Sequence, residues 1–389
     1  IHRNWLKRFA TGLFGWTGGQ LLPCRLVSIT NLPPKDYDKQ RAKKYFQNLL
    51  RKKLRLKKLI KNTLKRIPSV KNLLERIYNL ERQNHSLIDE MHILKTEIEH
   101  MHQEIDYKYY EGLHPENYLC ALKNWFKKYA GKTLDLENPQ TLNEKIQWLK
   151  LYDSTPLKTQ LTDKYLAREW VKERIGEKYL IPLLGTWDKF DEIDFDRLPA
   201  KFVLKANHGC GWNIIVKDKN TFDKAAAREK FNKWLNTNFA FVNGLELHYK
   251  DIFPKIIAEQ YLENDNGYLY DYKVLCFNGK PHFILVDIER HTNHKRNVYD
   301  LDWNIQPFSN YPKFETIDKP DNLDEMIFLA KTLSKDFALV RVDFYLLNDG
   351  SLKFGELTFT PASGQLWWDP PEYDLVLGQM ITLPQKKNK

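Results

Sequence analysis

A heptad pattern of apolar residues from Val70 to Ile105 most tightly limits what this chain can fold into. The first heptad position holds Val70, Ile77, Asn84, Met91, Ile98 and Ile105, and the fourth holds Leu73, Leu80, Leu87, Leu94 and Met101. About five unbroken heptads predict a coiled coil, the alternative being a long helix packed on its own domain. Asn84 at a first position favours a parallel homodimer through residues 70–105, since its buried amide pairs with its symmetry mate.

The segment before the heptads is strongly basic. Residues 1–75 carry 19 Lys and Arg against 3 Asp and Glu, whereas the whole chain has a net charge of +11, so the remainder is acidic overall. Residues 41–66 mix Lys and Arg with Leu, Ile and Phe at helical spacing, which predicts a basic amphipathic helix. Such a helix suits an anionic membrane surface, and a solvated helix or a nucleic-acid contact are the alternatives. We expect this helix to bind an anionic membrane surface and not nucleic acid.

Apolar runs and cysteines limit the remaining classes. No run of 18 or more apolar residues exists, so no membrane-spanning helix is expected. The four cysteines are widely spaced and form no Cys-x-x-Cys pair, which argues against a disulfide framework or a zinc site. These features favour a cytoplasmic protein peripheral to the inner face of the cell membrane. The predicted parts are a basic region 1–67, a coiled coil 68–106 and a globular domain 107–389.

The globular domain mixes two kinds of pattern. Residues up to about 175 are helical, and later residues form short strand-like runs separated by helical segments. The runs are FVLKA, NIIVK, KIIAEQYL, YDYKVLCF, PHFILVDIE, ALVRVDFYLL and LKFGELTF. Mixed strands and helices predict an α+β or α/β domain of the kind that enzymes use.

A glycine-rich loop lies between two of these strands, in KFVLKANHGCGWNIIVKD (201–218). Gly209 and Gly211 allow backbone amides to approach a ligand closely, and Lys205 supplies a point charge for phosphate. The loop is not a Walker A motif, because a strand follows it rather than a helix. A Gly-rich hairpin of purely steric origin is equally compatible with this stretch alone.

Two carboxylates lie on strands joined by the turn Asn348 to Gly350. Counting outward from the turn brings Asp343 and Glu356 to nearby positions of a hairpin, with Arg341 on the same face as Asp343. Two carboxylates that project together repel unless a cation lies between them, and oxygen ligands suit Mg²⁺ bridging nucleotide phosphates. The alternative is an exposed hairpin with solvated charges.

The run from NEKIQWLKLYD through HGCGWNIIVKD to FGELTFTPASG resembles the TupA-like ATP-grasp family, named for a teichuronopeptide biosynthesis protein of bacterial surface polysaccharide loci. The resemblance covers roughly residues 110–380 and implies an α+β ATP-grasp fold. It also implies that ATP and Mg²⁺ are bound. For phosphate binding it implies Lys164 of an Asp-Lys pair, Lys205, and the loop of His208, Gly209 and Gly211.

For the nucleoside, the resemblance implies a hinge in IIAEQYLEN. Backbone groups near Tyr261 and Leu262 would contact the adenine edge, with the Glu259 carboxylate near N6 or the ribose. Asp271 and Lys273 on the next strand are further candidates for ribose or phosphate contact.

For the reacting end, the resemblance implies that Arg341 neutralises the transferring phosphate. Asp343 and Glu356 match two metal ligands, and Thr358 stands where the family usually has an Asn ligand. A hydroxyl at Thr358 can coordinate a metal or hold a metal-bound water. The turn PASG, with Ser363, is expected to border the acceptor site.

A basic island, DIERHTNHKRNVYDLDW, contains further candidates for an anionic substrate, Arg290, Lys295 and Arg296, with a solvated loop as the alternative. The leading expectation is a carboxylate-amine ligase with an acyl phosphate intermediate, acting on a surface glycan or its lipid-linked precursor. The alternatives are a sugar kinase or glycosyltransferase-type enzyme on the same scaffold, and a nucleotide-binding scaffold without ligase activity.

Overall fold

A computed structural model describes residues 68–264, 269–288 and 293–386. The predicted basic helix at 41–66 and the candidate Arg290 lie outside the described residues. The first described element is one continuous helix, α1 (Pro68–Glu111), whose 44 residues span roughly 66 Å at about 1.5 Å per residue. The helix that the heptads predict is therefore confirmed, and its pairing with a second copy stays a prediction.

The heptad face of α1 is open to solvent from Leu87 onward. Its apolar side chains are 48% to 70% exposed at Leu87, Met91, Leu94, Ile98, Met101 and Ile105. A compact unit begins within the same helix, at Lys95, and continues to the end of the chain. Two contacts fix the last turns of α1 in that unit: Lys128 donates to Asp106 at 2.6 Å, and the Asn238 amide donates to the Tyr107 hydroxyl at 3.0 Å. Among the described helices, none is long and apolar enough to cross a membrane.

Seven further helices belong to this unit, and their ends follow the local sequence. They are α2 (Tyr118–Ala130), α3 (Leu142–Tyr152), α4 (Pro156–Thr162), α5 (Ala167–Ile175), α6 (Lys224–Leu235), α7 (Leu323–Ser334) and α8 (Tyr373–Gln379). Thr141 and Glu144 form a capping box that begins α3, and the Thr155 hydroxyl caps α4. Helix α2 ends at Gly131, which adopts the left-handed conformation that glycine tolerates best.

The strands form two antiparallel sheets. The first has the order β1-β4-β2-β3, from β1 (Leu183–Trp187), β2 (Phe202–Ala206), β3 (Asn213–Val216) and β4 (Ile256–Gln260). The second has the order β7-β6-β5-β8-β9, from β5 (Asp271–Phe277), β6 (Lys280–Ile288), β7 (Lys295–Tyr299), β8 (Leu339–Leu346) and β9 (Leu352–Thr358). All seven strand runs predicted from the sequence are confirmed.

The central strand β5 is buried on both faces, and its side chains alternate between two cores. Val274 packs on one face with Leu329 of α7 and with residues of α5. Leu275 packs on the other face with residues of α2 and α3. The first sheet has its own core, in which Phe202 packs against Phe231 of α6. The domain is therefore of mixed helix and sheet, as expected.

His248 is a buried histidine in the short turn before β4, 2% exposed, with its ring beside those of Tyr249 and Phe359. Burial and, to a smaller extent, the charges of Lys158 and Lys150 lower its pKa from 6.5 to about 3. His248 is therefore neutral in the folded protein at pH 5, whereas the unfolded chain binds a proton there.

We predict that lowering the pH from 7 to 5 removes about 2 kcal/mol of unfolding free energy through His248 alone, because the unfolded state takes up the extra proton. Urea denaturation of wild type and His248→Gln at both pH values measures this difference. The exposed His114→Gln serves as the control and should keep the wild-type pH dependence. An unchanged pH dependence in His248→Gln would contradict the assignment.

Candidate active site

The hairpin of β8 and β9 places the predicted carboxylates directly opposite each other. Asp343 pairs with Glu356, and Arg341 pairs with Thr358. The register shifts after this pair, so that Phe344 faces Phe354 and Gly355 is the extra residue of a bulge. A Cβ at Gly355 would lie 3.2 Å from the backbone oxygen of Asp343, which explains a glycine there. The prediction that the two carboxylates lie at nearby positions is confirmed, and it is the bulge that places them directly opposite each other.

Asp343 lies in a buried network of charges. Its Oδ1 accepts from Arg341 Nε at 2.7 Å, and its Oδ2 accepts from Arg341 Nη2 and from Lys273 Nζ, both at 2.6 Å. Lys273 also donates to Asp271 Oδ2 at 2.6 Å. Strand pairing explains the contact, because Lys273 of β5 lies opposite Asp343 of β8. Asp343 is 3% exposed, so these cations replace its hydration.

Glu356 is the more open carboxylate of the pair. Its Oε1 accepts from Arg341 Nη2 at 3.1 Å and from the Thr358 hydroxyl at 3.0 Å. Its Oε2 lies 4.0 Å from Lys164 Nζ, beyond hydrogen-bonding distance, and its side chain is 29% exposed. Glu356 therefore has an oxygen that a ligand can approach, whereas Asp343 faces two cations.

The cations keep both carboxylates ionised. Burial alone would raise the pKa of Asp343, but Arg341 and Lys273 outweigh it and hold that pKa below its usual range. Burial likewise raises the pKa of Glu356, and Lys164 followed by Arg341 brings it below the usual value. The two carboxylates in turn raise the pKa of Arg341 despite its burial. All three groups stay charged at neutral pH.

A second set of charges lies on the first sheet. Lys205 Nζ is 2.5 Å from Glu259 Oε2, and Arg168 Nη1 is 3.2 Å from Glu259 Oε1. Val203 pairs with Glu259 across β2 and β4. Lys205 lies two residues after Val203, so the Lys205 and Glu259 side chains are on the same face of the sheet. Arg168 was missed in the sequence. Arg168 lies in the first turn of α5, and Lys164 lies in the turn just before that helix.

The glycine-rich loop and Lys164 are held together. Lys164 Nζ donates to the Gly209 carbonyl at 2.5 Å, and the Lys164 amide donates to the Asn207 carbonyl at 3.1 Å. A Cβ at Gly209 would lie 2.3 Å from the Trp212 ring, and Gly211 adopts φ +73°. Both glycines are therefore required by the shape of the loop.

His208 does not present its side chain to a ligand. The ring is 2% exposed, with Nδ1 3.1 Å from Asn207 Oδ1 and Nε2 3.0 Å from the Trp234 carbonyl. Burial lowers its pKa. Its side chain holds the loop against α6, so any contribution of His208 to a ligand comes through the loop backbone.

One cleft brings together residues from both sheets. Lys164, Lys205, Glu259 and Glu356 line it, with Arg168 and Tyr249. Its free volume is about 20 Å³, far below the roughly 300–1,000 Å³ of a typical ligand pocket. A triphosphate therefore enters only after the side chains or the glycine-rich loop move apart.

The other hinge candidates lie along the same strands. Leu262 and Gln260 line a neighbouring depression of about 500 Å³ with Pro182 and Leu352. Lys201 Nζ lies 5.7 Å from the centre of the Tyr261 ring. Asp271 and Lys273 do not line the cleft. Lys273 donates to Asp343 and so belongs to the buried network next to Arg341 and Glu356.

The basic island has a different role from the one expected. Lys295–Tyr299 is strand β7, and Arg296 is 7% exposed. Arg296 Nε and Nη2 bind the two oxygens of Asp287 at 2.5 and 2.6 Å, and Nη1 donates to Asn310 at 2.7 Å. The guanidinium is buried and its charge is paired with Asp287, so it does not offer an open charge to a substrate. Lys295 pairs with Ile288 at the edge of the sheet.

Ser363 belongs to a buried cluster that sequence reasoning missed. Its hydroxyl accepts from Lys150 Nζ at 2.6 Å and donates to the Asn243 carbonyl at 2.5 Å. Burial lowers the pKa of Lys150 to about 7 and raises that of Glu246, whose Oε1 accepts from Thr360. The sequence feature that could have indicated this cluster is Lys150, a lysine among apolar residues of α3. Ser363 is 6% exposed, so it shapes the turn and is not open to an acceptor.

The cleft residues could hold Mg²⁺ only together with the phosphates of a nucleotide. No group of three or more His, Cys, Asp or Glu with metal-binding geometry exists in the described ranges. Mg²⁺ in nucleotide sites, however, usually takes one or two carboxylates together with phosphates and water. Glu356, open to the cleft, fits that donor set. Asp343 would join only by sharing oxygens that now bind Arg341 and Lys273.

We predict that Lys273→Met lowers the free energy of unfolding by about 3–5 kcal/mol, because it removes the buried cation that Asp271 and Asp343 share. Urea denaturation followed by tryptophan fluorescence measures the loss. The double variant Lys273→Met with Asp271→Asn should recover part of it.

The matched control is Lys201→Met, which removes an exposed lysine paired with Glu263 and should change stability by less than about 1 kcal/mol. Equal losses in the two single variants would show that the buried network does not stabilise the fold.

Comparison with known proteins assigns a family. A family model described as TupA-like ATP-grasp matches residues 144–382. Among curated protein sequences, none matches the chain. The chain is similar to the solved structure of the ATP-grasp ligase PsnB complexed with minimal precursor, Mg and ADP, at 11% identity and a TM-score of 0.31 over 56% of this chain and 58% of that one.

Two further solved structures show similar levels of likeness. They are D-alanyl-alanine synthetase A from Vibrio cholerae, at 12% identity with 56% and 57% covered and a TM-score of 0.32, and N5-carboxyaminoimidazole synthetase from Staphylococcus aureus, at 12% with 58% and 53% covered and 0.33. The chain thus spans between 53% and 58% of the length of these three proteins. The family match covers more than half of this chain, and the protein belongs to the TupA-like ATP-grasp family.

Proposed function

We propose that the protein is an ATP- and Mg²⁺-dependent carboxylate-amine ligase. The observation that carries the proposal is the cleft in which Lys164 and Lys205 from one side meet Glu356 and its partner Arg341 from the other. Cations on two sheets suit a chain of phosphates, and a carboxylate beside them suits the metal that phosphates bring. Family membership supports the same assignment.

Each cleft residue has a definite task in such a reaction. Lys164 and Lys205 bind phosphate oxygens once they leave the Gly209 carbonyl and Glu259. Arg341 stabilises the charge that spreads over the transferring phosphoryl group. Magnesium, when bound, supplies further charge neutralisation at the phosphates, and Glu356 is the residue that would hold it.

The bond changes follow in two steps. A substrate carboxylate oxygen attacks the γ-phosphorus of ATP, the bond to the bridging oxygen breaks, and ADP leaves. An amine nitrogen then attacks the carbonyl carbon of the acyl phosphate, and inorganic phosphate leaves with the electron pair of the carbon–oxygen bond. The nitrogen loses a proton, and an amide remains. The Arg341 side chain is 15% exposed, and exclusion of water at such a partly buried site would protect the acyl phosphate from hydrolysis.

The function is tested by ADP formation from ATP and Mg²⁺ with a panel of uronic and amino acids, using hydroxylamine as the amine. A ligase converts an acyl phosphate into a hydroxamate under these conditions. We predict that Glu356→Gln forms little hydroxamate, and that Lys205→Met raises the KM for ATP about 10- to 100-fold, the equivalent of a lost charged hydrogen bond. Lys230→Met, which removes an exposed lysine of α6 that does not line the cleft, should behave as wild type.

Two other functions predict different products. A sugar kinase would form ADP with phosphate on a sugar hydroxyl and no hydroxamate. A nucleotide-binding scaffold would bind ATP and form no ADP with any panel member. Either result would replace the ligase assignment.

For the substrate, the proposal extends to a bacterial surface glycan or its lipid-linked precursor, held near an anionic membrane surface. The family name and the excess of Lys and Arg in residues 1–75 support it. The exposed heptad face of α1, with Asn84 at a first position, supports a parallel homodimer.

Removing residues 1–94 tests both parts, because the remaining chain begins at Lys95 and keeps the contacts of Asp106 and Tyr107. We predict that the full chain sediments with vesicles that contain anionic lipid, because the membrane charge attracts the basic segment. Without vesicles it should sediment as a dimer, because the heptads of two copies pair. The shortened chain should float free as a monomer and still turn over ATP. Equal vesicle binding by both chains, or a dimer of the shortened one, would contradict the respective part.

A further inference from the structure

A second cavity lies apart from the charged cleft, beside the turn that follows β9. Helices α2, α3 and α8 and the segment Gly364–Trp368 line it, and its volume is about 210 Å³. This is below the roughly 300–1,000 Å³ of pockets that hold drug-sized ligands. The cavity is therefore large enough for one ring with its substituents and not for an extended chain.

Aromatic rings form one wall of the cavity. Trp125, Tyr129 and Trp367 line it, and the Trp125 and Tyr129 rings lie 5.1 Å apart. Trp367 is 70% exposed, a large apolar surface left in water beside a concave site. Trp125 is fixed from behind, because Lys150 Nζ lies 4.4 Å from its ring centre. The exposed ring surfaces that a flat ligand face can meet are therefore those of Tyr129 and Trp367.

Polar groups complete the lining. Glu144 and Asp374 contribute carboxylates. Glu144 Oε2 accepts from the Thr141 amide just before α3, and Asp374 Oδ1 accepts from the Asn143 amide within α3. Trp368 lines the cavity and is 6% exposed. Its buried indole nitrogen has no hydrogen-bond partner in the described part of the chain. A buried donor without an acceptor costs about 1–3 kcal/mol, and a ligand hydroxyl or water removes that cost.

The lining excludes other occupants of the same size. A purely apolar ring, such as an aromatic side chain of a peptide, would leave the Trp368 N–H without an acceptor. An anionic ring would meet two carboxylates against the single cation of Lys132. A pyranose ring has an apolar C–H face for the exposed aromatic rings and polar groups at its edge. An ammonium substituent would in addition pair with the carboxylates.

We propose that this cavity binds a hexosamine ring of the glycan acceptor. The inference rests on the proposed ligase function, for which it names a sugar unit of the glycan acceptor. The turn Pro361–Gly364 links the two sites along the chain, because it leads from β9, with Glu356 and Thr358, to Gly364 at the cavity wall. Lys150 donates to Ser363 in this turn, and its Nζ also lies over the Trp125 ring at the cavity wall. One side chain therefore contacts both the turn and the cavity wall.

Saturation-transfer NMR with the full chain and the methyl glycosides of glucosamine, N-acetylglucosamine and glucuronic acid tests the proposal. Methyl glucosaminide should bind in the millimolar range or tighter, with the glucuronide at least tenfold weaker. Trp367→Ala should weaken the glucosaminide at least tenfold, and Asp374→Asn should reduce the preference for it over the N-acetyl form. Phe328→Ala, which removes an equally exposed aromatic ring on α7, should change nothing.

ATP binding, measured by isothermal titration on the same variants, separates this inference from the proposed function. Sugar binding that depends on Trp367 supports the cavity assignment even in a chain that forms no hydroxamate. Overturning results are the absence of binding by every glycoside, equal binding of glucuronide and glucosaminide, an unchanged affinity in Trp367→Ala, or binding of N-acetyltryptophanamide in place of the sugars.

Discussion

The ion pairs that hold Asp343 are the interaction on which the rest of the site depends. A carboxylate 3% exposed in the centre of a sheet stays charged only because Arg341 and Lys273 take the place of water. Strand geometry supplies both partners: Lys273 lies opposite Asp343 across the β5–β8 ladder, and Arg341 lies two residues before it on the same face of β8. Glu356 lies opposite Asp343 across the β8–β9 ladder. Strand order, the bulge at Gly355 and the position of Arg341 are thereby tied to one another.

Local rules in the sequence were enough to predict the hairpin. The turn at Asn348 to Gly350 brings Asp343 and Glu356 to neighbouring positions of the hairpin. Alternation alone would place Glu356 opposite Val342, and the bulge at Gly355 shifts the register by one residue so that Asp343 faces Glu356. The seven predicted strands followed from their β-branched and aromatic residues. Strands β1 and β7 were missed because Gly185 and the charges of Lys295 and Arg296 conceal them, and only pairing with β4 and β6 makes them strands.

Contacts between distant segments were the part that sequence patterns could not give. Arg296 has the same local appearance as a surface arginine, and only the fold brings Asp287 to it across the β6–β7 ladder. Ser363 was expected at an open acceptor site, but Lys150, more than two hundred residues earlier in the chain, occupies its hydroxyl. His208 was similarly withdrawn into the core by Trp234. Each case involves a polar group whose partner lies far away in sequence.

The near balance of charge in the cleft bears on how quickly an anion is captured. Lys205 and Arg168 are neutralised in part by Glu259, and Arg341 by Asp343 and Glu356, so little positive potential extends beyond the cleft. Long-range electrostatic steering, which raises association rates steeply at low ionic strength, is correspondingly weak here. A nucleotide arriving by plain diffusion must exchange its phosphates for the resident carboxylates one contact at a time. Capture by such a cleft is therefore governed by local exchange of partners and is only mildly sensitive to salt.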